Sequence, residues 1–262
     1  MTSRSAYAFR LCCTERRIFV IVFLTSSPSG SYRQEGKRFP CELDNRNSFA
    51  DALRQRWPGP ARMLLIAASP DDPAVNDSIR NVFFQAFPLT GLPVESFDIC
   101  DRRDTSPAHR LKDYDVLILA GGHVPTQNAF FKELSLREKI ADFGGIVIGI
   151  SAGTMNAADV VYVQPELPGE SDPAFPRFTR GLGLTEFMLL PHVQEVRCDI
   201  LDGKRLFEDL TFPDSMGHVF CALEDGSYLL IENGSTTLCG AAWVISNGTM
   251  EKINEENEIT LL

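Results

Sequence analysis

The sequence predicts an α/β fold in which a mostly parallel β-sheet ends in antiparallel hairpins. Short, wholly apolar segments alternate with segments of helical period between residues 18 and 150. This pattern is typical of parallel strands that are covered by helices on both faces. The last third holds closely spaced strand candidates instead, joined by Asp225-Gly226, Asn233-Gly234 and Asn247-Gly248. Such dipeptides favour tight hairpin turns because glycine adopts a positive φ without steric cost.

Each predicted strand is a run of apolar residues that ends at a turn signal. The predicted parallel strands are residues 18–24, 63–68, 94–99, 114–120 and 146–150. The predicted antiparallel strands are residues 187–190, 218–223, 228–232, 241–245 and 251–254. Serine, proline and aspartate follow the second parallel strand, and a glycine pair follows the fourth, as expected where strands end.

Three segments have the spacing of helices. Residues 48–57 begin at a good N-cap and are stopped by Pro58. Residues 77–87 place their apolar side chains on one face, as a helix that packs on a sheet requires. Residues 128–143 precede the fifth parallel strand directly. Because no linker or repeat interrupts the alternation, we predict a single domain over residues 17–262.

The N-terminal segment has two interpretations. Residues 1–16 show no period and are predicted to form a flexible extension. Two arginines, the apolar run 18–24 and the small residues after it also have the order of a signal peptide. The run is short for that purpose and far below the roughly 20 residues that cross a bilayer. We therefore favour a strand, with an export signal within residues 1–24 as the alternative.

The composition argues against several classes of function. Lys and Arg total 25 against 35 Asp and Glu, which gives a net charge of −10, and so acidic a chain repels a phosphate backbone. The 7 cysteines are scattered, without the paired spacing of a disulfide framework or a zinc site. We expect a cytoplasmic protein that has no metal, no cofactor, no nucleic-acid partner and no membrane association.

The most informative stretch is Gly149-Ile150-Ser151-Ala152-Gly153, which joins an apolar strand to a segment of small residues. Strand, Gly-x-Ser-x-Gly and helix in this order are the context of a nucleophile elbow, a sharp turn that exposes the serine Oγ. The simpler alternative is a glycine-bounded turn with an N-capping serine. The position directly after a strand favours Ser151 as a nucleophile.

A glycine pair, Gly121-Gly122, ends the preceding parallel strand. Ligands of open parallel sheets bind beyond the carboxyl ends of the strands, so adjacent strands would bring this pair beside Ser151. Its backbone amides, with that of Ala152 as a second donor, are then a predicted oxyanion hole. One such donor contributes roughly 2.7–4 kcal/mol of transition-state stabilisation. The alternative is an ordinary turn.

A serine nucleophile requires a base, and the sequence holds 4 histidines. His192 is preferred because it follows a predicted strand that should end on the same rim as Ser151. His123, directly after the glycine pair, and His218, at the start of a strand, are the alternatives.

The acid that orients the base is left open by the residues alone, and the candidates are Glu166, Asp172, Glu195, Asp199, Glu224 and Asp225. The chain order Ser–acid–His, known from α/β-hydrolases, selects Glu166 or Asp172. The order Ser–His–acid selects Glu224 or Asp225.

The chain resembles the dipeptidase E and cyanophycinase family of serine peptidases, in the class I glutamine amidotransferase-like superfamily. The resemblance is carried by residues 119–122, 149–153 and 190–192 and covers roughly residues 17–250. It implies a three-layer, flavodoxin-like sandwich. It also implies the site roles: Ser151 as nucleophile, His192 as base, Asp225 as acid with Glu166 as the alternative, and the amides of Gly122 and Ala152 as the oxyanion hole.

Two positions depart from the family pattern. Aspartyl dipeptidases have Asn where this chain has His123, and amidotransferases proper have Cys where Ser151 stands, which argues against glutamine-dependent ammonia transfer. The predicted substrate-binding residues are Gly121, His123, Gln127 and Asn128. Arg177 and Arg180 are candidates for binding an aspartyl carboxylate.

The sequence therefore predicts a serine peptidase that hydrolyses a small peptide, an aspartyl dipeptide by the resemblance. The alternatives are a non-catalytic small-molecule-binding protein on the same scaffold and an esterase or amidase. The oligomeric state is left open, with a homodimer as one hypothesis.

Overall fold

The computed structural model describes residues 20–35 and 37–262, so the predicted extension over residues 1–16 lies outside the described residues. In chain order the strands are β1 (Ile21–Thr25), β2 (Ser29–Gln34), β3 (Lys37–Leu43), β4 (Ala61–Ile66), β5 (Val94–Cys100), β6 (Val116–Leu119), β7 (Ile146–Ile150), β8 (Val160–Tyr162), β9 (Phe178–Arg180), β10 (Met188–Leu190), β11 (Ile200–Leu201), β12 (Lys204–Arg205), β13 (Val219–Leu223), β14 (Tyr228–Glu232), β15 (Ser235–Cys239), β16 (Ala242–Ser246), β17 (Thr249–Asn254) and β18 (Ile259–Leu261). The α-helices are α1 (Phe49–Arg54), α2 (Pro73–Leu89), α3 (Val124–Glu133), α4 (Leu136–Ile140), α5 (Ala152–Asn156), α6 (Val193–Val196) and α7 (Phe212–Asp214). Short 3₁₀ turns span Arg46–Ser48, Ser106–His109 and Leu111–Asp113, and a π-helical turn spans Leu206–Thr211.

The main sheet has 8 strands in the order β18-β15-β14-β1-β7-β6-β4-β5. Strands β1, β7, β6, β4 and β5 are parallel, whereas β14, β15 and β18 are antiparallel to their neighbours. Successive residues of β1 point to opposite faces: Phe23 packs with α1 and α2, and Leu24 packs with α3 and α4. Helices thus cover both faces of the parallel part, and the predicted three-layer α/β fold class is confirmed.

The strands of the last third are divided between two sheets, and β10 pairs with β13 in parallel rather than in the predicted antiparallel arrangement. Strands β10, β13, β16 and β17 form a second sheet, which shares its apolar core with α5 and the π-helical turn. Asn233-Gly234 and Asn247-Gly248 form the predicted hairpin turns, with positive φ at all four residues. The prediction of a hairpin at Asp225-Gly226 was wrong, because this segment connects β13 in one sheet to β14 in the other.

Two further segments differ from the predictions. The predicted helix over residues 128–143 is divided into α3 and α4 by Ser135, whose φ of 49° no α-helix accommodates. The antiparallel hairpin β2–β3 was not predicted at all, because its strands alternate polar and charged residues with few apolar ones. This hairpin packs on α2 and stands beside the carboxyl ends of the parallel strands.

The cysteines in the described part of the chain carry free thiols. Burial raises the pKa of Cys100 and of Cys221 to about 12, so both stay protonated at neutral pH. Among the described helices, none combines the length and the apolar character needed to cross a membrane.

Candidate active site

Ser151 lies at a sharp turn between β7 and α5, with φ 50° and ψ −112°. A non-glycine residue with this backbone conformation is strained and needs support from its surroundings. The Ser151 N–H donates to the Thr25 carbonyl oxygen at 3.2 Å, which ties the turn to β1. A Cβ on Gly153 would lie 2.2 Å from the Leu119 carbonyl oxygen. The turn is therefore sharp and strained, as the predicted elbow requires, and its second glycine lets α5 start against β6.

The structure brings the glycine pair beside Ser151, because β6 and β7 are neighbours in the sheet. A Cβ built on Gly121 would lie 3.3 Å from the Ser151 Cβ, and one on Gly122 would lie 2.7 Å from the Ala68 Cβ. Among the described residues, no acceptor is bound to the amides of Gly122 and Ala152. These two N–H groups are therefore free to donate to a bound oxyanion.

His192 follows β10, and three hydrogen bonds hold it with Ser26 and Asp225. Its Nδ1 lies 2.7 Å from Asp225 Oδ1, and its backbone N–H donates to Ser26 Oγ at 2.8 Å. The Ser26 hydroxyl in turn donates to Asp225 Oδ1 at 2.7 Å. The sequence interpretation missed Ser26. The sequence feature that could have identified Ser26 is its position directly after β1. This strand pairs with β7, and Thr25, the residue before Ser26, lies opposite Ile150.

The charges of this cluster favour a proton on Nδ1. Burial disfavours the imidazolium, but the hydrogen bond and the charge of Asp225 outweigh it, so the pKa of His192 is raised. Burial also opposes the ionised Asp225, yet the hydrogen bonds from His192 and Ser26 hold its pKa below the usual range. A carboxylate on Nδ1 fixes the tautomer that leaves Nε2 as an acceptor. Within the described chain no residue is bound to this Nε2 or to the Ser151 Oγ.

Two cavities meet at Ser151. The large cavity, about 1000 Å³, lies between the ends of β1, β6 and β7, helix α2 and the β2–β3 hairpin. The small cavity, about 270 Å³, lies between α5, α6, the π-helical turn and residues 164–166. Both cavities are lined by Gly122, Ser151 and His192. A substrate bound across Ser151 therefore has space on either side of its reacting group.

The alternative bases have other partners. Both ring nitrogens of His123 are engaged, Nδ1 with Thr126 Oγ1 and Nε2 with Glu170 Oε1, each at 2.8 Å. The His218 ring lies on Phe178, 4.3 Å between ring centroids, and lines neither cavity.

The alternative acid Glu166 lines the small cavity, but no hydrogen bond joins it to His192. Desolvation of the Glu166 carboxyl by neighbouring atoms raises its pKa even though the residue as a whole is exposed. Among the acids considered from the sequence, Asp225 is the one in contact with the imidazole.

Three of the four predicted substrate-binding residues line neither cavity, namely His123, Gln127 and Asn128. Gln127 and Asn128 are buried between α3 and its neighbours. The Gln127 amide donates to the Ala120 carbonyl oxygen at 2.7 Å, and the Asn128 amide donates to Asn156 Oδ1 at 2.9 Å. These amides satisfy buried polar groups, as interiors require, and neither side chain lines a cavity beside Ser151.

The arginines proposed for a substrate carboxylate also lie elsewhere. Arg177 pairs with Asp214 at 3.0 Å, and Arg180 lines a separate depression beside α3 and α4. The cations that do line the large cavity are Arg33, Lys37 and Arg38 of the β2–β3 hairpin, which the sequence interpretation missed together with the hairpin itself.

Within residues 20–35 and 37–262, one group of side chains could hold a metal ion. His192, Glu195 and Asp225 each offer a ligand atom, and these atoms lie within 4.8 Å of one another. His192 Nδ1 and Asp225 Oδ1 are already joined by a hydrogen bond, so a metal at this position would have to replace it. The absence of a metal from the mechanism stays a prediction.

The solved structures that share this fold include the following two. One is a peptidase from an acI-B1 Actinobacterium, with a TM-score of 0.64 and 16% identity over 93% of this chain and 97% of that chain. The other is a candidate peptidase E protein from Listeria monocytogenes EGD-e, with a TM-score of 0.51 and 16% identity over 89% of this chain and 98% of that chain. No family model and no curated protein matches the sequence. The resemblance predicted from three motifs is thereby confirmed at the level of the fold, which this chain shares with a peptidase and a peptidase E-like protein.

Proposed function

We propose that this protein is a serine peptidase that hydrolyses small peptides through an acyl-enzyme on Ser151. The observation that carries the proposal is the strained backbone of Ser151 beside a histidine–aspartate pair. Ser151 and His192 both line the two cavities, and His192 is hydrogen-bonded to Asp225. Strain at a residue with a free hydroxyl is typical of a nucleophile elbow. The peptidase fold of the two structural neighbours supports the same reaction class.

In the proposed reaction, His192 Nε2 accepts the proton of Ser151 Oγ as that oxygen bonds to the carbonyl carbon of the substrate. The amides of Gly122 and Ala152 donate to the oxyanion of the tetrahedral intermediate. The C–N bond then breaks, and the amine leaves with the proton from Nε2. Water attacks the ester, gives a proton to Nε2, and releases the acid as Ser151 regains its hydrogen. Asp225 stabilises the imidazolium in both halves of the cycle.

A fluorophosphonate probe with mass-spectrometric mapping tests this proposal without knowledge of the substrate. We expect a covalent adduct on Ser151 that is lost in Ser151→Ala and strongly slowed in His192→Gln, because the serine depends on its base. Ser78→Ala is the matched control, since Ser78 lines the large cavity from α2 and is solvent-exposed. Labelling should be unchanged in that variant.

The outcome also separates the alternatives. A folded wild-type protein whose Ser151 stays unmodified would contradict the hydrolase and favour a non-catalytic binding protein. If Ser151 is labelled, turnover of matched peptide and ester substrates distinguishes a peptidase from an esterase. We expect peptide cleavage, and acceptance of esters alone would contradict the peptidase assignment.

A further inference from the structure

Three amide side chains, those of Gln127, Asn128 and Asn156, form a buried amide network behind the candidate oxyanion hole. Gln127 and Asn156 are 0% exposed, and Asn128 is 3% exposed. Burial of an amide costs free energy unless its polar atoms find partners, and apolar side chains would fill the same space without that cost. Three such residues at one place therefore require an explanation beyond filling the core.

Gln127 binds the backbone on both sides of the glycine pair. Its side-chain amide donates to the Ala120 carbonyl oxygen at 2.7 Å, directly before Gly121. Its backbone N–H donates to the His123 carbonyl oxygen at 3.1 Å, directly after Gly122. Two successive glycines have little intrinsic preference for one backbone conformation. The direction of the Gly122 N–H therefore depends on restraints of this kind.

Asn156 extends the network to the helix that follows the elbow. It ends α5, one helical turn after Ala152 and on the same face of the helix. Its Nδ2 donates to Gln127 Oε1 at 3.0 Å and to the Val124 carbonyl oxygen at 3.1 Å. Ala152 carries the second candidate donor of the oxyanion hole. The network therefore joins the two segments whose amides would act on one oxygen atom.

Asn128 completes the network on its outer side. Its Nδ2 donates to Asn156 Oδ1 at 2.9 Å and to the Arg180 carbonyl oxygen at 3.1 Å. Its Oδ1 accepts from Thr179 Oγ1 at 3.3 Å. Every side-chain nitrogen and oxygen of the three amides thus has a partner. A buried network that is fully satisfied rigidifies the segments that it joins and specifies one arrangement of them.

We propose that the buried amide network positions the N–H groups of Gly122 and Ala152 as one oxyanion hole. Its side chains line neither the large nor the small cavity, so they act through the backbone and do not touch the substrate. A catalytic group must be held within about 0.5 Å of its productive geometry, and donors on two separate turns need a connection to meet that limit. This inference rests on the proposed function, because it requires Ser151 to be the nucleophile.

The rate of inactivation by a fluorophosphonate tests the positioning role. Negative charge develops on the phosphoryl oxygen in the transition state, so the rate depends on the same two donors. Gln127→Met removes the amide at similar side-chain length. We expect the maximal inactivation rate, kinact, to fall about tenfold or more, because the loss of one donor costs about 10²- to 10³-fold and a displaced donor costs part of that. The concentration for half-maximal rate, KI, should stay within about twofold, because the network does not touch the bound probe.

Asn254→Leu is the matched control for a purely structural effect. Asn254 is 2% exposed, and its Nδ2 donates to the carbonyl oxygens of Gly240 and Glu258, each at 2.9 Å. It lies in β17 and lines neither cavity. Both this variant and Gln127→Met should lower the free energy of unfolding in urea, because each leaves buried carbonyl oxygens without a donor. Only Gln127→Met should lower kinact per folded molecule.

Two further variants test whether the amides act as a unit. Asn156→Leu breaks the link between α3 and α5 and should also lower kinact about tenfold or more. Combined with Gln127→Met it should cost no more than about twofold beyond either single variant, since members of one unit are not additive. Asn128→Ala removes only the outer amide and serves if the inner variants do not fold. We expect it to lower kinact about threefold, because the inner hydrogen bonds remain.

The outcomes separate this inference from the proposed function. An unlabelled Ser151 in the folded wild-type protein would contradict the nucleophile itself. A labelled wild-type protein whose network variants fold and react at the wild-type kinact would overturn the positioning role alone. An equal loss of kinact in Asn254→Leu, or losses that multiply in the double variant, would also overturn it.

Discussion

The two parts of the candidate catalytic apparatus are built in opposite ways. The elbow is local in sequence, because its two glycines and the strained Ser151 all lie within residues 149–153. The cluster of Ser26, His192 and Asp225 is assembled from segments 33 to 199 residues apart. Two of its members follow strands of different sheets, and the third lies in the connection between those sheets.

This difference determines which kind of substitution would disrupt each part. The elbow depends on close backbone packing against β1 and β6, so a single added methyl group can disrupt it. The cluster depends on charge and hydrogen bonds, so its members can change while the fold persists. The hydrogen bond from the Ser151 N–H to the Thr25 carbonyl oxygen links the two parts, since Ser26 follows Thr25 directly.

The largest expected effect comes from the charge of the cluster. Asp225→Asn keeps the size of the side chain but removes the carboxylate bound to His192. By analogy with other serine triads, we expect kcat to fall about 10³- to 10⁴-fold. Glu166→Gln, measured side by side, should cost less than about tenfold, because no hydrogen bond joins Glu166 to the imidazole. A larger loss from Glu166→Gln would assign the orienting acid to Glu166.

The pH profile of the same variants tests the cause of that loss. A base must be neutral, so kcat/KM should rise with pH as His192 loses its proton. Because Asp225 raises the pKa of His192 above its ordinary value of 6.5, the midpoint of this rise should lie above pH 6.5. Removing the Asp225 charge should move the midpoint to lower pH, and Glu166→Gln should move it less. An unchanged midpoint in Asp225→Asn would contradict the electrostatic role.

The elbow is tested by stability. In Gly153→Ala the new Cβ would lie 2.2 Å from the Leu119 carbonyl oxygen, a backbone atom that cannot move without shifting β6. We expect the free energy of unfolding in urea to fall by about 1–3 kcal/mol or more. Gly144→Ala is the matched control, since its Cβ would meet nothing within 4 Å. Equal stability of the two variants would contradict the close packing at the elbow.

The sequence predicted the features that depend on local pattern. The five parallel strands could be predicted because burial on both faces requires runs of apolar residues. Strand β7, for example, ends at Ile150 as predicted. The elbow could be predicted because its glycines and its strand lie next to each other in the chain. Hairpins at Asn233-Gly234 and Asn247-Gly248 follow from turn chemistry.

Features that depend on distant segments escaped prediction. Asp225-Gly226 has the composition of a hairpin turn, and nothing local shows that its flanking strands join different sheets. Gln127 and Asn128 are polar residues near the glycine pair, but the buried side-chain amide of Asn156 accepts from Asn128 and donates to Gln127. The β2–β3 hairpin has few apolar residues, so periodicity gave it no signal, although it carries the cations of the large cavity.

The smallest effect that we predict concerns Ser26, a positioning residue that bonds both partners of the base–acid pair. Ser26→Ala should lower kcat about tenfold with little change in KM, because loss of one charge-assisted hydrogen bond lets Asp225 and His192 shift. Thr25→Val is the matched control, because the Thr25 hydroxyl is buried without a hydrogen-bond partner in the described chain. Its removal should leave kcat unchanged. A merely structural Ser26 would lower the stability of the protein but leave kcat per folded molecule intact, and that result would remove Ser26 from the site.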